Sequence, residues 1–155
     1  MTFQVGNKVT LPQVATTSGK TFKLNDYKGK YVILYFYPKD STPGCTIESV
    51  GFKNHSEDFA KANAVIFGVS KDTLNSHEKF KAKHHMPFEL IADTDMILCN
   101  AFEVLKEKSM FGKKYMGIER STFIINPEVK LIKEWRKVSV LGHVEEVLEY
   151  LRGLN

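Results

Sequence analysis

The sequence predicts an α/β fold in which a central mixed β-sheet is flanked by helices. Two observations carry this prediction. Short apolar, β-prone runs alternate with helical segments along most of the chain, and a last pair of strands flanks an Asn-Pro turn. The alternation is typical of strands joined by helices that cover both faces of a sheet, and the last hairpin makes the sheet mixed. The 155 residues, 43% of them apolar and 26% charged, fit one domain that spans residues 1–155.

The first strands are a short hairpin and two buried runs. Residues 3–24 alternate weakly between apolar and polar side chains around a turn at Gly19, which predicts an N-terminal β-hairpin. The runs YVILYF at 31–36 and AVIFGV at 64–69 are almost wholly apolar and β-prone. Such runs are typical of strands that are buried on both faces of a sheet.

Two helices are predicted to follow these buried strands. The first extends to about Ala62 and is indicated by side chains that recur at steps of seven and share one helix face: Cys45, Phe52 and Phe59. The second begins after a capping residue, either Asp72 or Thr73, and continues to about His84, since Pro87 ends it.

The C-terminal part is predicted to contain a short strand, a short helix, a hairpin and a last helix. The strand is FELIA at 88–92, and the short helix follows it. Residues 109–119 indicate a loop or an irregular strand. The segments 122–125 and 129–135 flank the Asn-Pro turn and predict a hairpin, and the last helix begins after Gly142.

Charge and composition argue against several classes of function. The net charge of +4 is modest and the lysines are dispersed among acids, so no nucleic-acid partner is predicted. No apolar run reaches the length of a membrane span, and the N-terminal residues lack a signal-peptide pattern, so we expect a cytoplasmic protein. Two cysteines do not make a disulfide framework. The question is therefore whether either thiol is reactive.

The stretch YPKDSTPGCTIE at 37–48 places one thiol at the start of a helix. Pro38 ends the preceding strand because it has no N–H to donate, and Pro43 suits the first helical position. Cys45 then lies in the first turn, where free backbone N–H groups and the helix dipole favour an anion. A thiolate is the nucleophilic form of cysteine. The alternative is a small buried core residue, and the position of Cys45 favours the reactive interpretation only slightly.

A family resemblance decides between these two interpretations. The pattern P-x-x-x-T-x-x-C, here Pro38, Thr42 and Cys45, resembles the active-site signature of peroxiredoxins. The continuation with Thr46 and Glu48 is similar to the bacterioferritin comigratory protein (peroxiredoxin Q) branch, as are GIERSTFIINP and GHVEEVLEYL further along the chain. The resemblance implies a thioredoxin-like fold and thiol-dependent reduction of hydrogen peroxide and organic hydroperoxides.

The resemblance also implies roles for individual residues. Cys45 corresponds to the peroxidatic thiol, and the Thr42 hydroxyl to the group that bonds to the peroxide oxygen and the thiolate. Arg120 corresponds to the arginine that stabilises the thiolate and polarises the peroxide, and Pro38 to the residue that shields the pocket from water. Glu48 either orients Arg120 or is an ordinary solvated helix residue.

The second thiol departs from the pattern of many relatives. They carry a resolving cysteine five residues after the first, where this chain has Val50, or in the helix predicted near residues 74–84, which has no cysteine. Cys99 lies beside Leu98 and Phe102, and a gap-filling role is the simpler interpretation. We therefore expect a one-cysteine mechanism. An atypical two-cysteine cycle through Cys99 and a stoichiometric redox sensor or holdase are the alternatives.

The resemblance also bears on partners. Thioredoxin, or glutathione with glutaredoxin, is the implied reductant, and a monomer or weak homodimer is the expected assembly.

His77, His84 and His85 cluster on one predicted helix, and His77 and His84 share a face. No acidic or cysteine partner is evident for them in the sequence, so a surface role is expected and no metal or other cofactor is predicted. For His77, whose position matches the family, capping or packing is the alternative.

Overall fold

The structure, a computed structural model, describes residues 3–154. Its strands, in chain order, are β1 (Val14–Ala15), β2 (Thr21–Phe22), β3 (Tyr31–Phe36), β4 (Ala64–Ser70), β5 (Glu89–Ala92), β6 (Leu105–Met110), β7 (Lys113–Ile118), β8 (Ser121–Ile125) and β9 (Leu131–Trp135). Its helices are α1 (Pro43–Asn54), α2 (Ser56–Lys61), α3 (Leu74–His84), α4 (Ile97–Ala101) and α5 (His143–Gly153).

Five strands form the central sheet in the order β5-β4-β3-β8-β9. β3 is parallel to β4 and β4 is parallel to β5, whereas β3 pairs with β8, and β8 with β9, in antiparallel fashion. The mixed sheet predicted from the sequence is therefore confirmed, and so is the last hairpin. The N-terminal hairpin of β1 and β2 is confirmed as a separate two-stranded sheet.

The side chains of β3 divide the core into two clusters, because successive residues of a strand point to opposite faces. Ile33 and Tyr35 belong to the cluster that packs against α1, α2, α3 and α5, called here the four-helix face. Leu34 and Phe36 belong to the cluster that packs against α4 and the N-terminal segment, called here the α4 face. Helices therefore flank the sheet on both sides, as predicted.

The first predicted helix is wrong in one respect, since it is two helices and not one. α1 ends at Asn54 and α2 begins at Ser56, with His55 between them at φ −105° and ψ 12°, outside the helical region. Phe52 and Phe59, one on each side of this break, pack against each other with ring centroids 5.6 Å apart. The shared face predicted for these two side chains is thus kept across the two helices.

Residues 109–119 do not form the predicted loop or irregular strand. β6 and β7 pair in regular antiparallel register from Leu105 with Ile118 to Met110 with Lys113. The turn residues Phe111 and Gly112 both have left-handed φ values, 53° and 75°, as in the two-residue turns that join twisted strands. Most side chains of this hairpin are exposed, so it lacks the alternating apolar pattern that marks a half-buried strand.

The α1 and α5 helices approach each other closely at Gly51. A Cβ atom at position 51 would lie 2.9 Å from Cγ2 of Val144, which is shorter than an ordinary contact. Glycine weakens a helix interior, and the close packing of α1 against α5 offsets that cost here. Among residues 3–154, no helix is both long enough and apolar enough to cross a membrane.

Candidate active site

The strand register explains how distant parts of the sequence meet at one edge of the sheet. Phe36, the last residue of β3, pairs with Ser121, the first residue of β8. Because the two strands are antiparallel, the loop that follows β3 and the residue that precedes β8 lie at the same edge. Cys45 and Arg120, which are 75 residues apart in the chain, are brought together in this way.

Cys45 lies in the first turn of α1, as the sequence predicts. Thr42 is the N-cap residue and Pro43 follows it in the first turn. The hydrogen bond from Thr46 N to Thr42 O, 2.9 Å long, belongs to this turn, whose earlier N–H groups lack helical acceptors. Cys45 has no exposed surface and packs within the core of the four-helix face.

The Thr42 hydroxyl is bonded within the loop that precedes α1. Its Oγ1 donates to the carbonyl oxygen of Lys39 over 2.8 Å, and within residues 3–154 it makes no capping bond to the helix. The hydroxyl lone pairs thus remain as acceptors. Pro38, half-buried, follows Tyr37, whose N–H makes a 3.0 Å bond to the carbonyl oxygen of Val69. Pro38 has no N–H with which to extend that ladder.

Arg120 joins the thiol to a carboxylate. Its Nη2 lies 3.3 Å from the sulfur of Cys45, and its Nη1 donates to Oε1 of Glu48 over 2.7 Å. Partial burial lowers the pKa of the guanidinium, but Glu48 and Cys45 outweigh that effect, so the pKa is raised and the group stays charged. Glycine at position 44 leaves room for the guanidinium, since a Cβ there would lie 3.2 Å from Nη2 of Arg120.

Glu48 is buried, so the alternative of a solvated helix residue is wrong. Its side chain has no exposed surface, and one helical turn after Cys45 it faces Arg120. Burial raises the pKa of this carboxyl to about 7, although the charge and hydrogen bond of Arg120 act to lower it. Within the described part of the chain, Oε2 of Glu48 has no hydrogen-bond partner. Arg120 is thus held through Oε1 alone.

The second thiol lies on the other side of the sheet. Cys99 belongs to the cluster on the α4 face, and Cys45 belongs to the cluster on the four-helix face. Both are free cysteines. The N–H of Cys99 donates to Oδ2 of Asp93 over 2.8 Å, and burial, together with the Asp93 charge, raises the pKa of this thiol. A raised pKa disfavours the thiolate, in line with the gap-filling interpretation.

The expected surface role of His77 is wrong. The residue is fully buried, and its Nδ1 lies 2.7 Å from Oδ2 of Asp40. Its Nε2 lies 3.0 Å from the carbonyl oxygen of Ile91, so both ring nitrogens are engaged. Asp40, Asp72 and His77 also have ligand-type atoms within 4.8 Å of one another, but those of His77 are already used in hydrogen bonds. Sequence reasoning missed Asp40 because it lies 37 residues away.

A second buried histidine lies near the arginine. His143, which begins α5, has its Nε2 2.8 Å from Oγ1 of Thr122 on β8. Burial and then the charge of Arg120 lower the pKa of His143 to about 4. The imidazole is therefore neutral around pH 7 and adds no positive charge beside Arg120.

Comparison with known proteins identifies the family. The AhpC/TSA family profile matches residues 5–134. Peroxiredoxin Bcp of Bacillus subtilis is 53% identical over 155 residues, covering 100% of this chain and 99% of that protein. Peroxiredoxin Bcp of Xanthomonas campestris is 47% identical over 140 residues, covering 90% and 88%. This chain is a peroxiredoxin of the AhpC/TSA family.

Solved structures agree with this membership. Peroxiredoxin Q of Xanthomonas campestris superposes with a TM-score of 0.88 at 46% identity, covering 92% of this peroxiredoxin and 90% of that chain. A PrxQ mutant from Xylella fastidiosa gives a TM-score of 0.94 at 39% identity, covering 99% and 98%. The predicted thioredoxin-like fold and the resemblance to the bacterioferritin comigratory protein branch are both confirmed. The protein is a thiol-dependent peroxidase.

Proposed function

We propose that Cys45 is the thiol that attacks the peroxide, and that Arg120 is the group that makes the attack possible. The contact of Arg120 Nη2 with the sulfur, 3.3 Å long, carries this proposal. The positive charge favours the thiolate, and the position at a helix N-terminus acts in the same direction. The thiolate attacks one peroxide oxygen, the O–O bond breaks, and the leaving oxygen takes up a proton. The products are Cys45 sulfenic acid and water or an alcohol.

The leaving oxygen gains negative charge as the O–O bond breaks, so fixed donors directed at it lower the barrier. Arg120 supplies several N–H groups in a rigid fork, and Glu48 holds that fork in place through the 2.7 Å bond to Nη1. Thr42 acts from the loop side, where its hydroxyl lone pairs accept the peroxide O–H because its own proton is directed to Lys39. Pro38 completes this side and keeps water from the sulfur.

Hydrogen peroxide and organic hydroperoxides are the proposed substrates. The similar bacterioferritin comigratory protein of Xanthomonas campestris, 45% identical, is a protein with alkyl peroxide reduction activity. The complete burial of Cys45 favours a small oxidant over a bulky one. A partner thiol, which is larger than hydrogen peroxide, reaches the sulfur only when the first turn of α1 moves.

We further propose a one-cysteine cycle. An external thiol attacks the sulfenic acid, forming a mixed disulfide and releasing water, and a second thiol then releases Cys45 as an external disulfide leaves. Thioredoxin, or glutathione with glutaredoxin, supplies these electrons in the cytoplasm. Cys99 is unsuited to the task, because the sheet lies between it and Cys45 and a disulfide needs Cα atoms within about 7 Å. A monomer is sufficient for this cycle, and a weak homodimer is compatible with it.

The test is turnover with each thiol removed in turn. NADPH consumption is followed with peroxide and either the thioredoxin or the glutaredoxin system. We expect Cys45→Ser to abolish turnover and Cys99→Ser, the matched control, to keep most of it. Wild-type turnover in Cys45→Ser contradicts the assignment. Consumption of only one peroxide per protein chain with both systems supports a stoichiometric redox sensor in place of an enzyme.

A further inference from the structure

In the loop that carries Pro38 and Thr42, Asp40 makes the hydrogen bonds to Asp72 and to α3. After the bond of Tyr37 N to Val69 O, the chain leaves the sheet, and Ser41 adopts a left-handed φ of 64°. Asp40 lies between them, two residues from Pro38 and two from Thr42. Its N–H donates to Oδ2 of Asp72 over 2.9 Å. Asp40 is buried in a segment whose neighbours Lys39 and Ser41 are exposed.

The carboxylate of Asp40 accepts three hydrogen bonds. The Tyr37 hydroxyl donates to Oδ1 over 2.6 Å, and the Ser76 hydroxyl donates to Oδ2 over 2.8 Å. Nδ1 of His77 completes the set at 2.7 Å. Two of the three donors belong to α3, so the loop is tied to a helix that is remote from it in the sequence. Burial raises the pKa of Asp40, but His77 and the other donors outweigh burial and hold it below its usual value, so the group is a carboxylate.

His77 joins Asp40 to the central sheet. Its two ring nitrogens face two acceptors, the Asp40 carboxylate and the carbonyl oxygen of Ile91 on β5. The result is a buried Asp–His pair that connects the loop, α3 and the sheet. Such pairs are weak sources of stability because desolvation offsets their attraction, so they are better explained by the geometry that they fix.

We propose that Asp40 and His77 are positioning residues for peroxide reduction, holding residues 37–42 so that Pro38 and Thr42 face the reacting oxygen atoms. This inference rests on the proposed role of Cys45. It differs from the role of Arg120, which reaches the sulfur from the position before β8 and is held by Glu48. Loss of the Asp40–His77 pair therefore impairs the reaction with peroxide and leaves the thiolate itself in place.

The test compares two reactions of the same sulfur in Asp40→Asn and His77→Gln. The first is sulfenic acid formation with hydrogen peroxide, and the second is alkylation by iodoacetamide at the same pH, both quantified on the Cys45 peptide. We expect the peroxide rate constant to fall by about tenfold to a hundredfold, the range for a misplaced group near the reacting atoms, while alkylation does not fall. His55→Gln is the matched control and keeps both rates, since His55 is partly exposed and pairs with Asp58 and Glu145.

Further results make the test decisive. The double variant loses no more than the larger single loss, because the two residues act as one unit. If a variant fails to fold, as judged by circular dichroism, Ser76→Ala replaces it, with a smaller fall in the peroxide rate alone. An unchanged peroxide rate in the folded variants, or an equal fall in alkylation, overturns the inference. A wild-type protein that forms no Cys45 sulfenic acid overturns the proposed function instead.

Discussion

Nη2 of Arg120 lies 3.3 Å from the sulfur of Cys45, and this contact joins the start of a helix to the start of a strand. In the proposed mechanism, this cation favours the thiolate before peroxide binds and stabilises the leaving oxygen afterwards. The two effects are separable by experiment, because alkylation of the thiol breaks no O–O bond and therefore does not report on the second of them.

Arg120→Ala is expected to lower the rate of Cys45 oxidation by roughly a hundredfold, the loss of about 3 kcal/mol that removal of such a donor causes. Arg120→Lys recovers little of it, because a point charge does not reproduce the rigid fork. Stopped-flow oxidation kinetics provide the measurement. Arg136→Lys serves as the control, since Arg136 binds Glu134 and the carbonyl oxygens of Phe102 and Glu103. Unchanged alkylation of Cys45 in Arg120→Ala argues against a role in thiolate formation.

Glu48 is expected to give the protein a pH-dependent stability. Burial raises the pKa of Glu48 from an ordinary 4.5 to about 7, so the folded protein binds this proton more tightly than the unfolded chain. Its contribution is present below pH 4.5 and is lost as pH rises through about 7. Relative to Glu48→Gln, the wild-type free energy of unfolding should fall across this window by up to about 1.4 kcal/mol per pH unit.

Urea unfolding at a series of pH values measures this slope. The matched control is Glu57→Gln on the exposed surface of α2, which makes the same chemical change without removing a buried carboxyl. Parallel stability curves for wild type and Glu48→Gln between pH 4.5 and 7 are incompatible with a buried carboxyl whose pKa is about 7.

The oxidised thiol is expected to persist unbridged. One equivalent of peroxide should give a Cys45 sulfenic acid that a sulfenic-selective reagent traps, and excess peroxide should convert it to sulfinic acid. Added glutathione should intercept it as a mixed disulfide. Mass spectrometry of the non-reduced protein distinguishes these species. A dominant Cys45–Cys99 bridge within one chain indicates an atypical two-cysteine cycle, and a bridge between chains indicates a dimer.

Gly51 is expected to be needed for packing between helices. Gly51→Ala gains about 1 kcal/mol of helix propensity, but its Cβ would meet Cγ2 of Val144 at 2.9 Å, and overpacking costs about 1–3 kcal/mol. We expect a net loss of unfolding free energy. Combination with Val144→Ala should destabilise less than the sum of the two single changes, since the second removes the clash. Additive effects in urea unfolding would show that the contact is relaxed without cost.

The features that were predicted correctly are those that residues close together in the chain determine. The bounds of β3 and the placement of Cys45 in the first turn of α1 follow from apolar runs and from Pro38 and Pro43. The β6–β7 hairpin was missed because its two strands pair with each other and stay exposed, so no core imposes an apolar period on them.

Partners that are distant in the chain were harder to predict. Asp40 and His77 are 37 residues apart, and only the packing of α3 beside the loop brings them together. Glu48 was ambiguous for the same reason, since its burial depends on Arg120 arriving from 72 residues away. No period or spacing within one segment contains such information.

In the proposed cycle, the sheet between the two thiols also determines how many turnovers one enzyme molecule completes before it is inactivated. No second thiol among residues 3–154 lies on the four-helix face to compete for the oxidised Cys45, so its fate in this cycle depends on whether an external thiol or another peroxide reacts first. The mean number of turnovers before inactivation is then the ratio of these two rates. That number rises with the thiol supply and falls as peroxide accumulates, so survival of the enzyme reflects the redox balance of its surroundings.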